Sequence, residues 1–118
     1  MDKNTSLEEV KDAVKKFCEI REWNHHTPKD LAIMITVEAA ELLEIFRYKK
    51  DEEIKELFNG EKRIDIEDEI SDVLFNLLRF VELNNIDLST AFYNKLEKNN
   101  KKYPVEKSRG SSKKYNEL

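Results

Sequence analysis

The chain has 118 residues, 39% of them Asp, Glu, Lys or Arg, with two glycines, two prolines and a net charge of −4 at pH 7. That length suits one domain over 1–118, and so few turn-forming residues exclude a sheet-rich fold, whose turns need more glycine and proline. No apolar run reaches the length of a membrane span, the opening MDKNTSLEEV lacks the apolar centre of a signal peptide, and the single cysteine, Cys18, forms no internal disulfide, so a cytoplasmic protein without membrane association is expected.

Ser6 and Glu9 have capping-box spacing ahead of an amphipathic run that ends near Arg21. Thr27-Pro28 supplies an N-cap and a first-turn proline for a longer second helix reaching Lys50. Asp51 to Phe58 reads as a brief helix closed by Asn59-Gly60, and a long helix follows from about Asp65 to Leu83. Asp87 or Ser89 opens a last helix that ends near Asn100, and no segment alternates with the period of a strand. The expectation is an all-α, four-helix bundle-like subunit. Its long helix is apolar nearly all round, with Ile70, Val73, Leu74, Phe75, Leu77, Leu78, Phe80 and Val81 covering most directions. One small subunit cannot easily bury such a helix, which predicts a homo-oligomer.

Two carboxylate pairs share one spacing, Glu38-x-x-Glu41 and Glu69-x-x-Asp72. Helical residues three apart lie about 60° apart around the axis, so each pair projects from one face. Glu38 and Glu41 fall within the stripe of Leu31, Met34, Leu42 and Ile45, while Glu69 and Asp72 share a strip with Asn76 flanked by Val73, Phe75 and Phe80. Acids inside apolar stripes are uncommon. If the two strips face each other, like charges roughly 6 Å apart at an effective dielectric of about 20 repel by on the order of 3 kcal/mol per pair. A cation would remove that cost. All-oxygen ligation without a neighbouring Cys or His favours a hard ion, Mg²⁺ first and Mn²⁺ second.

Charge is uneven along the chain. From Lys95 onward eight basic residues face three acidic ones, a net +5 that leaves −9 for the remainder. A basic tail at 103–118 beside an acidic metal centre suits a polyphosphate, whose outer oxygens need Lys, Arg and N–H donors. The alternative is a solvated terminus, and Ser108-Arg109-Gly110-Ser111-Ser112 reads as flexible at rest while offering small donors to a phosphate. The overall negative charge and the lack of aromatic residues interleaved with the basic ones argue against nucleic-acid binding.

Taken together, the chain resembles the MazG-like nucleotide pyrophosphohydrolases, and within them the small all-helical dCTP pyrophosphatase group. The resemblance rests on Glu38, Glu41, Glu69 and Asp72, on Arg21-Glu22-Trp23 with His26-Thr27-Pro28, on the run from Val37 to Phe46, and on the run from Tyr103 to Tyr115. It implies hydrolysis of a nucleoside triphosphate to the monophosphate and pyrophosphate, with Mg²⁺ held by the four acids and unwanted nucleotides removed from the pool. It also implies dimers or tetramers whose base pocket is shared between subunits. By the same resemblance the cation polarises the α-phosphate and an activated water attacks in line, with Glu38 or Glu41 doubling as general base.

Substrate contacts carry over residue by residue. Trp23 matches an aromatic lining the base pocket, or else packs in the core; His26 contacts the nucleotide or ends the loop before the second helix. Lys95 and Asn99 match positions near the phosphates, with a solvated face as the alternative for Lys95. Two departures bear on the base: Tyr48 stands where the group commonly has Trp, and Asn76 where it often has Tyr. Asn76 is either a substrate contact or a structural amide beside the acids. Among rival classes, a di-iron or di-manganese bundle needs Glu-x-x-His pairs, whereas both histidines here precede the second helix. A non-catalytic helical oligomerisation or interaction module would explain the oligomer and the basic tail, but would leave the embedded acids without a purpose unless they held a structural metal.

Overall fold

The structure, a computed structural model, describes residues 1–118, all of its regular elements helical. It forms two compact units, Met1–Asn85 and Ile86–Leu118.

In the first unit, α1 (Leu7–Ile20) starts where Ser6 Oγ accepts the Glu9 N–H at 3.1 Å. Helix α2 (Pro28–Phe46) starts on a reciprocal box: Thr27 Oγ1 accepts the Asp30 N–H at 3.1 Å and Asp30 Oδ2 accepts the Thr27 N–H at 3.4 Å. The second helix was expected to reach Lys50, but it stops at Phe46. Arg47 still donates to the Leu43 carbonyl at 2.9 Å, and then Tyr48 adopts φ 65°, a left-handed conformation that no helix continues through. That turn leads into α3 (Asp51–Leu57), after which Phe58 stacks on Phe46 with ring centroids 6.0 Å apart. The long helix α4 (Lys62–Leu83) begins three residues ahead of the expected Asp65. No side chain caps it, so its start left no mark in the sequence; a tight Arg63 N–H to Gly60 carbonyl bond of 3.2 Å opens it instead.

Helix α4 packs chiefly along α2 and secondarily along α1. Met34 meets Arg79 while Glu41 meets Glu69, so α2 and α4 run antiparallel. Leu31 and Leu78 are fully buried at the centre, with Val14 and Cys18 from α1 and Ile66 and Val81 from α4 around them. Burying one such leucine contributes about 1.5–3 kcal/mol. The opposite side of α4 is uncovered in the subunit: Ile70 is 51% exposed, Leu74 43% and Leu77 41%.

The second unit consists of α5 (Leu88–Lys102), the single turn α6 (Val105–Ser108) and a 3-10 turn at Tyr115–Glu117. Asp87 caps α5 by accepting the Thr90 N–H at 3.1 Å. The terminal segment, expected to be flexible at rest, has local order here. Ser108 Oγ bonds the Pro104 and Tyr103 carbonyls at 2.7 and 3.1 Å, and the Tyr103 and Tyr115 rings meet edge to face at 6.2 Å. Lys102 lies over the Tyr115 ring at 4.9 Å. A serine that satisfies backbone carbonyls locally stabilises a turn that composition alone reads as loose.

Candidate metal centre

Glu38 and Glu41 project from α2 and Glu69 from α4, and one carboxylate oxygen from each lies within 4.8 Å of the other two. Glu38 and Glu69 are half-buried and Glu41 is exposed, so the cluster sits at the margin of the apolar stripe rather than inside it. Two of its oxygens, Glu38 Oε2 and Glu69 Oε2, are shut off from solvent and meet no donor. A buried anionic oxygen without a partner is costly.

That cost appears in the titration of the acids. Loss of solvent pushes the Glu38 carboxyl up from 4.5 to about 7, aided by the adjoining Glu41 and by the charges of Asp72 and Glu69. Glu69 is raised too, again by loss of solvent first and then by Glu41 and Asp72. The donors are all carboxylate oxygens, a set that fits a hard divalent cation, which would satisfy the two stranded oxygens and offset the repulsion.

Asp72 stands beside the trio rather than within it. Its charge reaches Glu38 and Glu69, but it is exposed and its carboxylate is outside the close group. The fourth member of the expected set has a side chain one methylene shorter than that of Glu69, and it also borders the cleft on the α1 side with Phe17 and Trp23.

Next to the acids, α2 and α4 enclose a cleft of about 390 Å³ with Ile33, Met34, Val37 and Phe75 as apolar walls. Because the helices are antiparallel, Glu38 and Asp72 mark one end and Met34 and Arg79 the other. Asn76 lines the cleft, is buried, and donates its Nδ2–H to the Asp72 carbonyl at 3.1 Å. Trp23 lines a different cleft, about 440 Å³, which it shares with Phe17, Phe75 and Asp72. There Phe17 meets Trp23 at 5.9 Å and Phe75 at 5.5 Å, both edge to face. Asp72 and Phe75 therefore border both clefts.

Among the other sequence candidates, His26 is half-buried with Nδ1 2.7 Å from Arg79 Nη2. Tyr48 is 84% exposed under the Arg47 guanidinium, 4.5 Å from its ring, and borders neither cleft. Lys95 and Asn99 lie on α5 in the second unit, exposed and half-buried respectively. Sequence reasoning missed Arg79, which is only 5% exposed. Its signal was a lone cation in the apolar run Leu77-Leu78-Arg79-Phe80-Val81.

Comparison with known proteins places the chain in a family. The MazG-like family profile matches residues 33–118, a span containing all four acids. The chain belongs to the MazG-like family. It is 33% identical over 115 residues to dCTP pyrophosphatase 1 of Bos taurus, covering 96% of this chain and 68% of that protein. Identity to dCTP pyrophosphatase 1 of Homo sapiens is 32% over the same shares of each chain. Among solved structures, a pyrophosphatase from Archaeoglobus fulgidus superposes with a TM-score of 0.75 at 41% identity, covering 83% of this chain and 92% of that one. This MazG-like chain is a pyrophosphohydrolase, of the dCTP pyrophosphatase group.

Proposed function

We propose that the protein is a Mg²⁺-dependent nucleoside triphosphate pyrophosphohydrolase that releases pyrophosphate and a nucleoside monophosphate, acting on dCTP or a modified pyrimidine deoxynucleotide in the cytoplasm to remove unwanted nucleotides from the pool. The observation that carries this reading is the carboxylate trio with two stranded oxygens, set at the end of an apolar-walled cleft. The dCTP pyrophosphatases among its relatives support the choice of substrate.

Glu38, Glu41 and Glu69 hold the cation, Mg²⁺ or in its place Mn²⁺, with Asp72 as the fourth acid. When bound, the cation supplies charge neutralisation along the triphosphate and polarises the α-phosphate. Glu38 or Glu41 accepts the proton of the attacking water. Trp23 and its aromatic neighbours offer a stacking surface for the base, and Asn76 offers an amide within reach of the same acids. His26 and Tyr48 complete the base and sugar contacts, while Lys95 and Asn99 on α5 and the basic segment from Tyr103 onward serve the phosphates. The subunit works as a homo-oligomer, a dimer or tetramer, which accounts for the uncovered Ile70, Leu74 and Leu77 on α4.

Incubating the protein with Mg²⁺ and each canonical and modified nucleoside triphosphate, with pyrophosphate as the readout, tests the proposal. Turnover should be highest on a pyrimidine deoxynucleotide and absent from a Glu41→Gln variant. Pyrophosphate release no greater than that of the variant on every nucleotide would refute it, and a preference for purines would refute the choice of base.

A further inference from the structure

We propose that Arg79 is a positioning residue of the nucleotide site, holding His26 in the neutral tautomer whose proton is on Nε2, so that the ring offers a ligand a hydrogen-bond donor. The inference rests on the nucleotide reading for its functional consequence, but the tautomer follows from geometry alone.

A guanidinium carries donors and no acceptor. Arg79 Nη2 lies 2.7 Å from His26 Nδ1, so Nδ1 must be the acceptor and the ring proton of neutral His26 must sit on Nε2. The same Nη2 donates to the Trp23 carbonyl at 3.3 Å, and Nη1 approaches Met34 Sδ at 3.7 Å. These contacts reach the loop between α1 and α2 at two points and α2 at a third, so the guanidinium has little freedom to turn. No carboxylate pairs with it, although it is 5% exposed, and its Nε has no partner. A buried cation without a counter-ion is costly to keep, and a merely structural tether could be made by a neutral amide.

Its position supplies the reason to keep it. Asp72, Asn76 and Arg79 are spaced four and three apart on α4 and all border the cleft beside the trio. Arg79 therefore ties the loop that carries Trp23 and His26 to the helix face that carries the acids. On the nucleotide reading His26, which sits on the loop beside the clefts and not in their walls, offers its Nε2–H to an oxygen acceptor, either a phosphate oxygen or a carbonyl of the base.

Long-range ¹H–¹⁵N correlation spectra of the ¹⁵N-histidine-labelled full-length chain at pH 8 read the tautomer directly, with His25→Gln separating the two histidine signals. The expected His26 pattern is a ring protonated on Nε2 alone in the wild type and in Arg79→Lys, with a measurable Nδ1-protonated fraction appearing in Arg79→Met. Alongside it, Arg79→Met should raise KM about tenfold with kcat changed less than about threefold, and Arg79→Lys should recover most of that loss. A wild-type ring protonated on Nδ1, or an Arg79→Met protein with unchanged tautomer and KM, overturns the proposal. Should Arg79→Met not fold, His26→Gln, whose amide nitrogen mimics Nε2, should keep KM within about threefold while His26→Asn does not; the reverse order overturns it as well. Weaker inhibition by inorganic pyrophosphate in His26→Ala assigns the acceptor to the phosphates, whereas a KM loss that depends on the base assigns it to the base. Because the spectrum needs no substrate, a protein that turns over no nucleotide would sink the functional reading while the tautomer still upholds or overturns this one.

Discussion

Replacing Glu38 with Gln should make the metal-free protein more stable at pH 8 while abolishing its response to Mg²⁺. In the folded chain the Glu38 carboxyl is raised from 4.5 to about 7. The native state therefore holds a proton that the unfolded chain releases, so stability falls as pH rises through the window from about 4.5 to about 7 and stays low above it. At 1.36 kcal/mol per unit the shift corresponds to at most about 3 kcal/mol, and the solvent that reaches the exposed Glu41 beside it screens this to about 1–2 kcal/mol. A neutral amide of the same shape avoids the cost at every pH. For a domain of this size the gain should appear as a rise in Tm of about 3–8 °C in EDTA at pH 8, followed by circular dichroism, and should shrink to about a quarter of that at pH 5. Several millimolar Mg²⁺ should raise Tm in the wild type and leave the variant unchanged. A variant no more stable than the wild type at pH 8, or a gain that stays constant between pH 5 and pH 8, would refute the electrostatic account of the site.

Three further outcomes follow from the same structure. Mg²⁺ binding should release about half a proton at pH 7 and weaken about tenfold from pH 8 to pH 6, since Glu38 at about 7 must ionise to ligate; calorimetry in buffers of different ionisation enthalpy measures both, and heats independent of buffer at pH 7 would contradict it. Deleting Lys107 to Leu118 should raise KM or lower kcat at least about tenfold without changing the oligomer seen by light scattering, and unchanged kinetics would remove the phosphate role of the tail. Leu78→Ala, at a fully buried position, should cost about 2–5 kcal/mol in urea unfolding, whereas a cost under about 1 kcal/mol would mean that Leu78 is not at the centre of the packing.

Much of this molecule is written in local chemistry. The Thr27/Asp30 box, Pro28 and the capping Asp87 act within one turn of chain, so the starts of α2 and α5 can be read without any partner. The carboxylate spacing is equally local, because helical geometry alone aligns Glu38 with Glu41 and Glu69 with Asp72. Other boundaries depend on contacts the sequence does not spell out. Arg47 leaves the helical region at ψ 135° and Tyr48 follows at φ 65°, a conformation not expected of tyrosine, so that α2 ends in a turn, and α4 starts without a side-chain cap.

At the site, residue type and spacing determined which acids could be brought together, and the antiparallel packing of α2 on α4 decided which of them lie closest. Reach across the gap favours the longer Glu69 over Asp72, and the depth of the groove strands one oxygen each on Glu38 and Glu69. Only the same packing could reveal Arg79. A lone arginine in an apolar helix reads as an anomaly until α1, α2 and the loop between them close around it and place His26 Nδ1 2.7 Å from its guanidinium. Local periodicity is a property of the chain, whereas desolvation and the pairing of distant donors are properties of the packed fold.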